Sequence, residues 1–185
     1  MPRARRIRGL ASLAAVAITL TVLIWLRTRP EAPGPPPGWA AVDHVADGDT
    51  VVLRGGVTVR LVQIDTPEVY FHPECYGEQA SAETKRLLRR GTLVRLVQDP
   101  ATSSSDVYGR LLRYVIRRGG LNVNVRLVSD GSAAPYFFDG VRGRDAALLM
   151  RDAEAARSRG TGLWGACPGT ALDPDHGVAT GDVDG

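Results

Sequence analysis

Residues 57–68 read VTVRLVQIDTPE. Val57, Val59 and Leu61 alternate with Thr58 and Arg60, the period-two pattern of a half-buried strand. The run then ends in two carboxylates, Asp65 and Glu68, around Thr66-Pro67. Taken alone, that ending is a helix start: Thr66 as cap, Pro67 at the first position, Glu68 beside the positive end of the dipole. Just upstream, Gly55-Gly56 is a hairpin signal, and Val51–Leu53 is a short β-branched strand before it. That strand begins with ADGDT at 46–50, which carries Asp47 and Asp49. Asp-Gly alone is again only a favoured turn pair.

Together the two acidic turns say more. Hairpin-linked strands bring the end near Asp49 and the end near Asp65 into one neighbourhood. Uncompensated carboxylates gathered there repel and raise one another's pKa. A hard divalent cation removes that cost, and oxygen donors without paired His or Cys point to calcium or magnesium rather than zinc. One difficulty is built in. Arg60 and Asp65 lie on opposite faces of a strictly alternating strand. A bulge or turn between them is required if both are to meet one group.

Farther out, Leu93–Val97 and Leu111–Ile116 form a second strand pair, joined by a loop with turn chemistry, QDPATSSSD at 98–106. Between the pairs, Ala80, Thr84, Leu87 and Leu88 share one face of a helix spanning Gly77–Gly91, with Gly91 as its C-cap. A last helix fits Arg144–Arg159, stopped by Gly160. Leu121–Gly131 is open between two forms: Val123, Val125 and Leu127 alternate like a strand, while Asn122 and Gly131 suit the caps of a short helix. About five strands and two or three helices fit an α+β five-stranded OB-type barrel with helices packed on it.

The net charge of +3 does not by itself demand a polyanionic partner. Lys85 is the only lysine, so arginine carries the basic chemistry. Arg60 lies just before the acidic turn, and Arg110 follows Gly109 in DVYGRLL. A lone surface arginine is by default solvated or weakly paired. Two arginines flanking a cation site form a receptor for an anionic phosphorus centre, because guanidinium forks and metal neutralise charge growing on phosphoryl oxygens. A carboxylate not bound to the metal can take a proton from water.

The termini frame a domain at 39–168. Gly9 to Leu26 is an uncharged run of 18 residues, about 27 Å long as a helix and so close to a bilayer core. Four arginines precede it and two follow, which favours the N-terminus in the cytoplasm and the remainder outside. Residues 1–27 are therefore read as a membrane anchor or, alternatively, a cleaved signal segment. Residues 28–38 form a proline-rich spacer. Residues 169–185 are Gly/Asp-rich and expected to be disordered; the Asp173/Asp175 and Asp182/Asp184 pairs lack a complete calcium-loop spacing. Cys75 and Cys167 are the only cysteines. An even count in a domain outside the cytoplasm favours a disulfide between them.

The segments VADGDTVVL, VRLVQIDTPE, YGEQAS, DVYGRLLRYV, NVRLVSDGSA and GLW, in this order over residues 41–165, resemble the staphylococcal nuclease (thermonuclease) family. The resemblance implies a five-stranded OB-fold barrel with three helices, so Leu121–Asp130 becomes helical. It also implies calcium-dependent hydrolysis of DNA and RNA to 3′-phosphate products. Asp49 and Asp65 match the calcium ligands, with the Thr66 carbonyl as a third, and Asp47 matches a supporting acid. Glu68 matches the general base, and Arg60 and Arg110 match the phosphate-gripping arginines. Tyr108 matches a nucleotide contact. Tyr136, or Phe137 or Phe138 beside it, matches a nucleotide-stacking aromatic. The protein expected is a monomer acting on nucleic acid, held at the membrane through residues 9–26 or secreted. Two other classes compete: a non-catalytic OB-fold binding module, and a tethered calcium-binding or adhesion domain, which needs neither arginine.

Overall fold

The computed structural model describes Ile18, Thr19, Thr21 and residues 34–181. The expected membrane or signal segment at 9–26 lies outside the described residues, apart from those three helical positions. Among the described residues no helix is long and apolar enough to cross a membrane.

Five strands close into a barrel in the order β1(Ala40–Val45), β2(Thr50–Leu53), β3(Thr58–Leu61), β6(Leu111–Arg117), β5(Leu93–Val97). β2 and β3 are joined as predicted at Gly55-Gly56, whose φ angles of 92° and 82° no β-branched residue would hold. β3 and β6 run parallel, with Arg60 opposite Leu112. β5 closes the barrel on β1 by pairing Ala41 with Leu93. Closure removes the exposed edges that an open sheet would present. Val42, Val51, Val59, Leu61, Val94 and Val115 fill the interior, all buried. Each such side chain contributes about 1.5–3 kcal/mol by leaving water.

A separate two-stranded ribbon, β4(Ile64–Asp65) with β7(Ala134–Pro135), sets Asp65 opposite Ala134. Three helices pack on the barrel: α1(Gly77–Leu87), α2(Val123–Ser129) and α3(Ala146–Ser158); a single turn, α4(Leu163–Ala166), follows. The segment left open between strand and helix is α2. The Asn122 side chain accepts from the backbone N–H groups of Asn124 and Val125, and Val123, Asn124, Leu127 and Val128 bury one helical face. Asn124 then locks α2 to the barrel, accepting from Val115 N at 3.0 Å and donating to Val62 O at 2.9 Å. α1 stops earlier than expected. Its final cap is Leu88, buried against the core, and Gly91 instead donates its N–H to Val42 O at 2.8 Å. Gly91 therefore serves the barrel and not the helix end.

The tail also departs from the expectation of disorder. Residues 169–181 run back along the domain. Val178 is buried against Ala134 and Leu163, and Leu172 packs on the main core. Phe137 N donates to Pro174 O at 2.6 Å and Cys75 N to Gly181 O at 2.9 Å. Two apolar residues spaced through a polar segment are enough to dock it once a matching groove exists. Cys75 and Cys167 form the predicted disulfide, with Cα atoms 5.9 Å apart.

Candidate active site

The acidic turn at 46–50 is shaped by its own side chains. Asp47 Oδ1 accepts from the backbone N–H groups of Asp49 at 3.0 Å and Thr50 at 2.7 Å. Thr84 of α1 donates its hydroxyl to Gly48 O at 2.5 Å, so the helix holds the turn from behind. A Cβ at Gly48 would overlap the Thr66 side chain. That close approach brings Thr66 to Asp49: its N–H and hydroxyl both lie 3.2 Å from Asp49 Oδ2. Asp47 thus orients backbone, while Asp49 faces the neighbouring turn.

Arg60 reaches both acids. Nη2 donates to Asp65 Oδ1 at 2.7 Å, and Nη1 forms an ion pair with Asp49 Oδ2. The Arg60 side chain is 14 % exposed and that of Asp49 9 %, so this is a largely desolvated arrangement rather than a surface pair. The turn that alternation demanded lies at Val62-Gln63. Gln63 is buried with φ 65°, left-handed for a non-glycine residue. Several contacts hold it there. Gln63 Nε2 donates to Val141 O at 2.9 Å, Oε1 accepts from Gly143 N at 2.7 Å, and its carbonyl accepts from Tyr136 N at 3.0 Å. The chain reverses face at this residue and delivers Asp65 to the side that Arg60 occupies.

Glu68 is exposed, and among the described residues nothing pairs with its carboxylate. Partial desolvation, then the charges of Asp65 and Asp47, hold its carboxyl above the usual range, with Arg60 opposing. On the other flank, Arg110 Nε donates to Asp106 Oδ2 at 2.6 Å, and Nη1 lies 3.4 Å from Thr50 Oγ1. Burial alone pushes the Asp106 carboxyl up, but the Arg110 hydrogen bonds outweigh it and leave it below the usual range. Thr50 in turn donates to Asp49 Oδ1 at 3.2 Å. One connected run, Arg110–Thr50–Asp49–Arg60–Asp65, therefore joins four of the six residues expected to act on phosphate or metal; Thr66 contacts Asp49, and Glu68 stands near Asp65 without a bond to the run.

The profile described as staphylococcal nuclease homologue matches residues 58–166, more than half of the chain. The chain belongs to the staphylococcal nuclease family. It is 31 % identical over 171 residues to a protein named micrococcal nuclease from Shigella flexneri, covering 84 % of this chain and 87 % of that one. It is 35 % identical over 144 residues to Protein ParB of Escherichia coli, covering 69 % and 75 %. It is also 33 % identical over 156 residues to Endonuclease YhcR of Bacillus subtilis (strain 168); that match covers 75 % of this chain and only 13 % of the much longer relative.

In this member of the staphylococcal nuclease family the expected nucleotide contacts separate by exposure. Tyr108 is 82 % exposed, with the Arg110 guanidinium 5.5 Å from its ring centre. Tyr136 is half-buried and meets Phe138 edge-on at 6.3 Å. Phe137 is fully buried in the core, which removes it as a stacking platform; Phe138 is 65 % exposed. A groove of about 620 Å³ lined by Arg95, Asn122, Val125 and Arg144 shares no residue with the acid–arginine cluster. Asp49, Asp65 and Arg60 are largely buried, and the exposed residues beside them are Glu68 and Tyr108.

The donor chemistry fits a calcium ion. Asp49 and Asp65 already converge on a single cationic group, the Arg60 guanidinium, and every nearby donor is a hard oxygen. Among the described residues no three His, Cys, Asp or Glu side chains form a chelating group. A hard cation held here would have two carboxylates as its side-chain donors and would need backbone and water oxygens to complete its shell.

Two features escaped the sequence. Gln63 carried no motif; its only signal was the failed alternation between Arg60 and Asp65. The tail contact escaped entirely: Val178 N donates to Asp65 Oδ2 at 3.0 Å.

Proposed function

We propose that this chain is a calcium-dependent phosphodiesterase that hydrolyses DNA, RNA or both, leaving 3′-phosphate ends. The observation that carries the reading is the position of Arg60 between Asp49 and Asp65, with the unpaired, proton-retentive Glu68 carboxylate beside them. The family membership and the relatives named nucleases support it.

Asp49, Asp65 and the Thr66 carbonyl would hold the calcium ion, with Asp47 supporting the turn. Bound there, the ion supplies positive charge to the phosphoryl oxygens and a template for the substrate. Glu68 accepts a proton from the attacking water, whose oxygen forms the new bond to phosphorus. The bond from phosphorus to the 5′ oxygen breaks, and that oxygen leaves with a proton from solvent. Arg60 and Arg110 present planar forks to the equatorial oxygens as charge accumulates on them. Both start in ion pairs, Arg60 with the two acids and Arg110 with Asp106; the Arg60 fork would be released toward the phosphate once Asp49 and Asp65 hold a cation. Tyr108 and Tyr136 offer π-faces to flanking bases, a sequence-tolerant contact.

The domain is placed outside the cytoplasmic membrane, as a monomer anchored through residues 9–26 or released after cleavage. The apolar run with its arginine bias and the disulfide support that placement. The test is direct. The purified protein is incubated with single-stranded DNA and with RNA in calcium, in magnesium, and in chelator. Cleavage in calcium alone is expected; full turnover in magnesium with calcium rigorously excluded overturns the metal assignment, and no cleavage in any condition overturns the activity.

A further inference from the structure

We infer that the C-terminal segment 173–181 is a positioning element of the metal site, acting through the backbone N–H of Val178 on Asp65. This rests on the proposed role of Asp65 as a calcium ligand.

The Asp65 carboxylate is held from two sides. Oδ1 accepts from Arg60, and Oδ2 accepts from Val178 N at 3.0 Å. A ligating carboxylate works best when its orientation is fixed by hydrogen bonds from groups that are not themselves ligands, and loss of such partners typically costs about 10–100-fold in metal affinity. A backbone N–H delivered by a docked segment is such a partner: it adds no charge and competes for no coordination position.

The segment is built to deliver it. Upstream, Pro174 O accepts from Phe137 N at 2.6 Å, and Asp175 lies 3.3 Å from the Arg142 guanidinium. Downstream, Thr180 Oγ1 donates to Cys75 O at 2.7 Å, so the strap is tied at a disulfide-bearing residue. Between these anchors Val178 inserts its side chain beside Ala134 and Leu163. Gly177 makes the approach possible. Its φ is 83°, and a Cβ there would lie 2.8 Å from Asp65 Oδ2 and 3.6 Å from the Tyr136 ring. Asp65, the ribbon partner Ala134 and the strap thus form one unit.

Calcium affinity, measured by isothermal titration calorimetry on the full chain, tests this separately from turnover. Four variants are compared with the parent: Asp65→Asn, a chain ending at Leu172, Gly177→Ala and Val178→Ala. Circular dichroism and melting in chelator establish that each is folded. The chain ending at Leu172 and Gly177→Ala are expected to bind calcium about 10–100-fold more weakly. Val178→Ala keeps the N–H but loses the side chain that seats the strap beside Ala134 and Leu163, and is expected to weaken binding by less than the shortened chain does. If Asp65→Asn abolishes binding and both strap variants retain parental affinity, the inference fails and the metal assignment stands. If the shortened chain binds calcium more tightly or turns over faster, the strap covers the site and the inference is equally overturned. If the parent itself binds no calcium, the assignment of Asp65 falls and this inference with it.

Discussion

Arg60 Nη2 donates to Asp65 Oδ1 at 2.7 Å across a turn whose central residue, Gln63, is left-handed. Five positions apart on an alternating strand, the two would face away from each other; the reversal at Gln63 makes them partners. Arg60 is therefore bound to the acids before any substrate arrives. Replacing Arg60 or Arg110 with lysine keeps the charge and loses the fork. For each variant kcat should fall by more than KM rises, measured on a defined oligonucleotide under saturating calcium. A change confined to KM would make these arginines recruiters of substrate only.

Glu68→Gln should preserve fold and calcium affinity and lower kcat by about 10²–10⁴, the usual cost of removing a general base. Single-turnover kinetics measure the chemical step directly. Near-parental turnover would remove Glu68 from the mechanism.

The same residue predicts a dependence of stability on pH. Desolvation and the charges of Asp65 and Asp47 raise its carboxyl pKa in the folded protein above the ordinary value of 4.5. The folded state therefore binds this proton more tightly than the unfolded chain, and ionised Glu68 opposes folding at neutral pH. Below the unfolded value both states are protonated and the penalty is absent. In chelator, Glu68→Gln should melt slightly higher than the parent at pH 7, and the difference should vanish as pH falls below about 4.5. A difference that grows on acidification would reverse the sign of the argument.

Gln63→Ala should cost about 1–3 kcal/mol in denaturant unfolding. It leaves the partners at Val141 and Gly143 unpaired, and alanine gains nothing in a left-handed conformation. Activity should fall at temperatures where the variant is fully folded, because the turn that faces Asp65 toward Arg60 is no longer clamped. Parental activity in a destabilised Gln63→Ala would confine the residue to folding.

Removing the disulfide should lower the melting temperature. The bond joins residues 92 apart, and the chain-entropy model assigns a loop of that size about 4–5 kcal/mol as an upper figure. Calorimetry of Cys75→Ala/Cys167→Ala measures the loss, and intact-mass analysis of alkylated native protein checks for free thiols. An unchanged melting temperature would mean that the unfolded chain is already restricted by other means.

Much of this molecule was legible in order along the chain. The β-branched runs, the Gly55-Gly56 hairpin, the Asn122 cap and the acidic turns are local signals, because propensity, capping and period act over a few residues. The candidate residues Asp49, Arg60, Asp65, Glu68 and Arg110 were likewise readable, since their chemistry is carried by residue type and spacing. What tertiary structure alone decided involves partners far apart in sequence. Gln63 takes its left-handed form from groups 78 and 80 residues away, and Asp65 receives an N–H from a residue 113 positions later. Phe137 and Phe138 are neighbours with the same ring, yet Phe137 packs in the main core and Phe138 is exposed. The Gly/Asp-rich tail carries too little apolar surface to fold by itself, and it is held by residues distant in sequence, Val178 against Ala134 and Leu163 and Gly181 O accepting from Cys75 N.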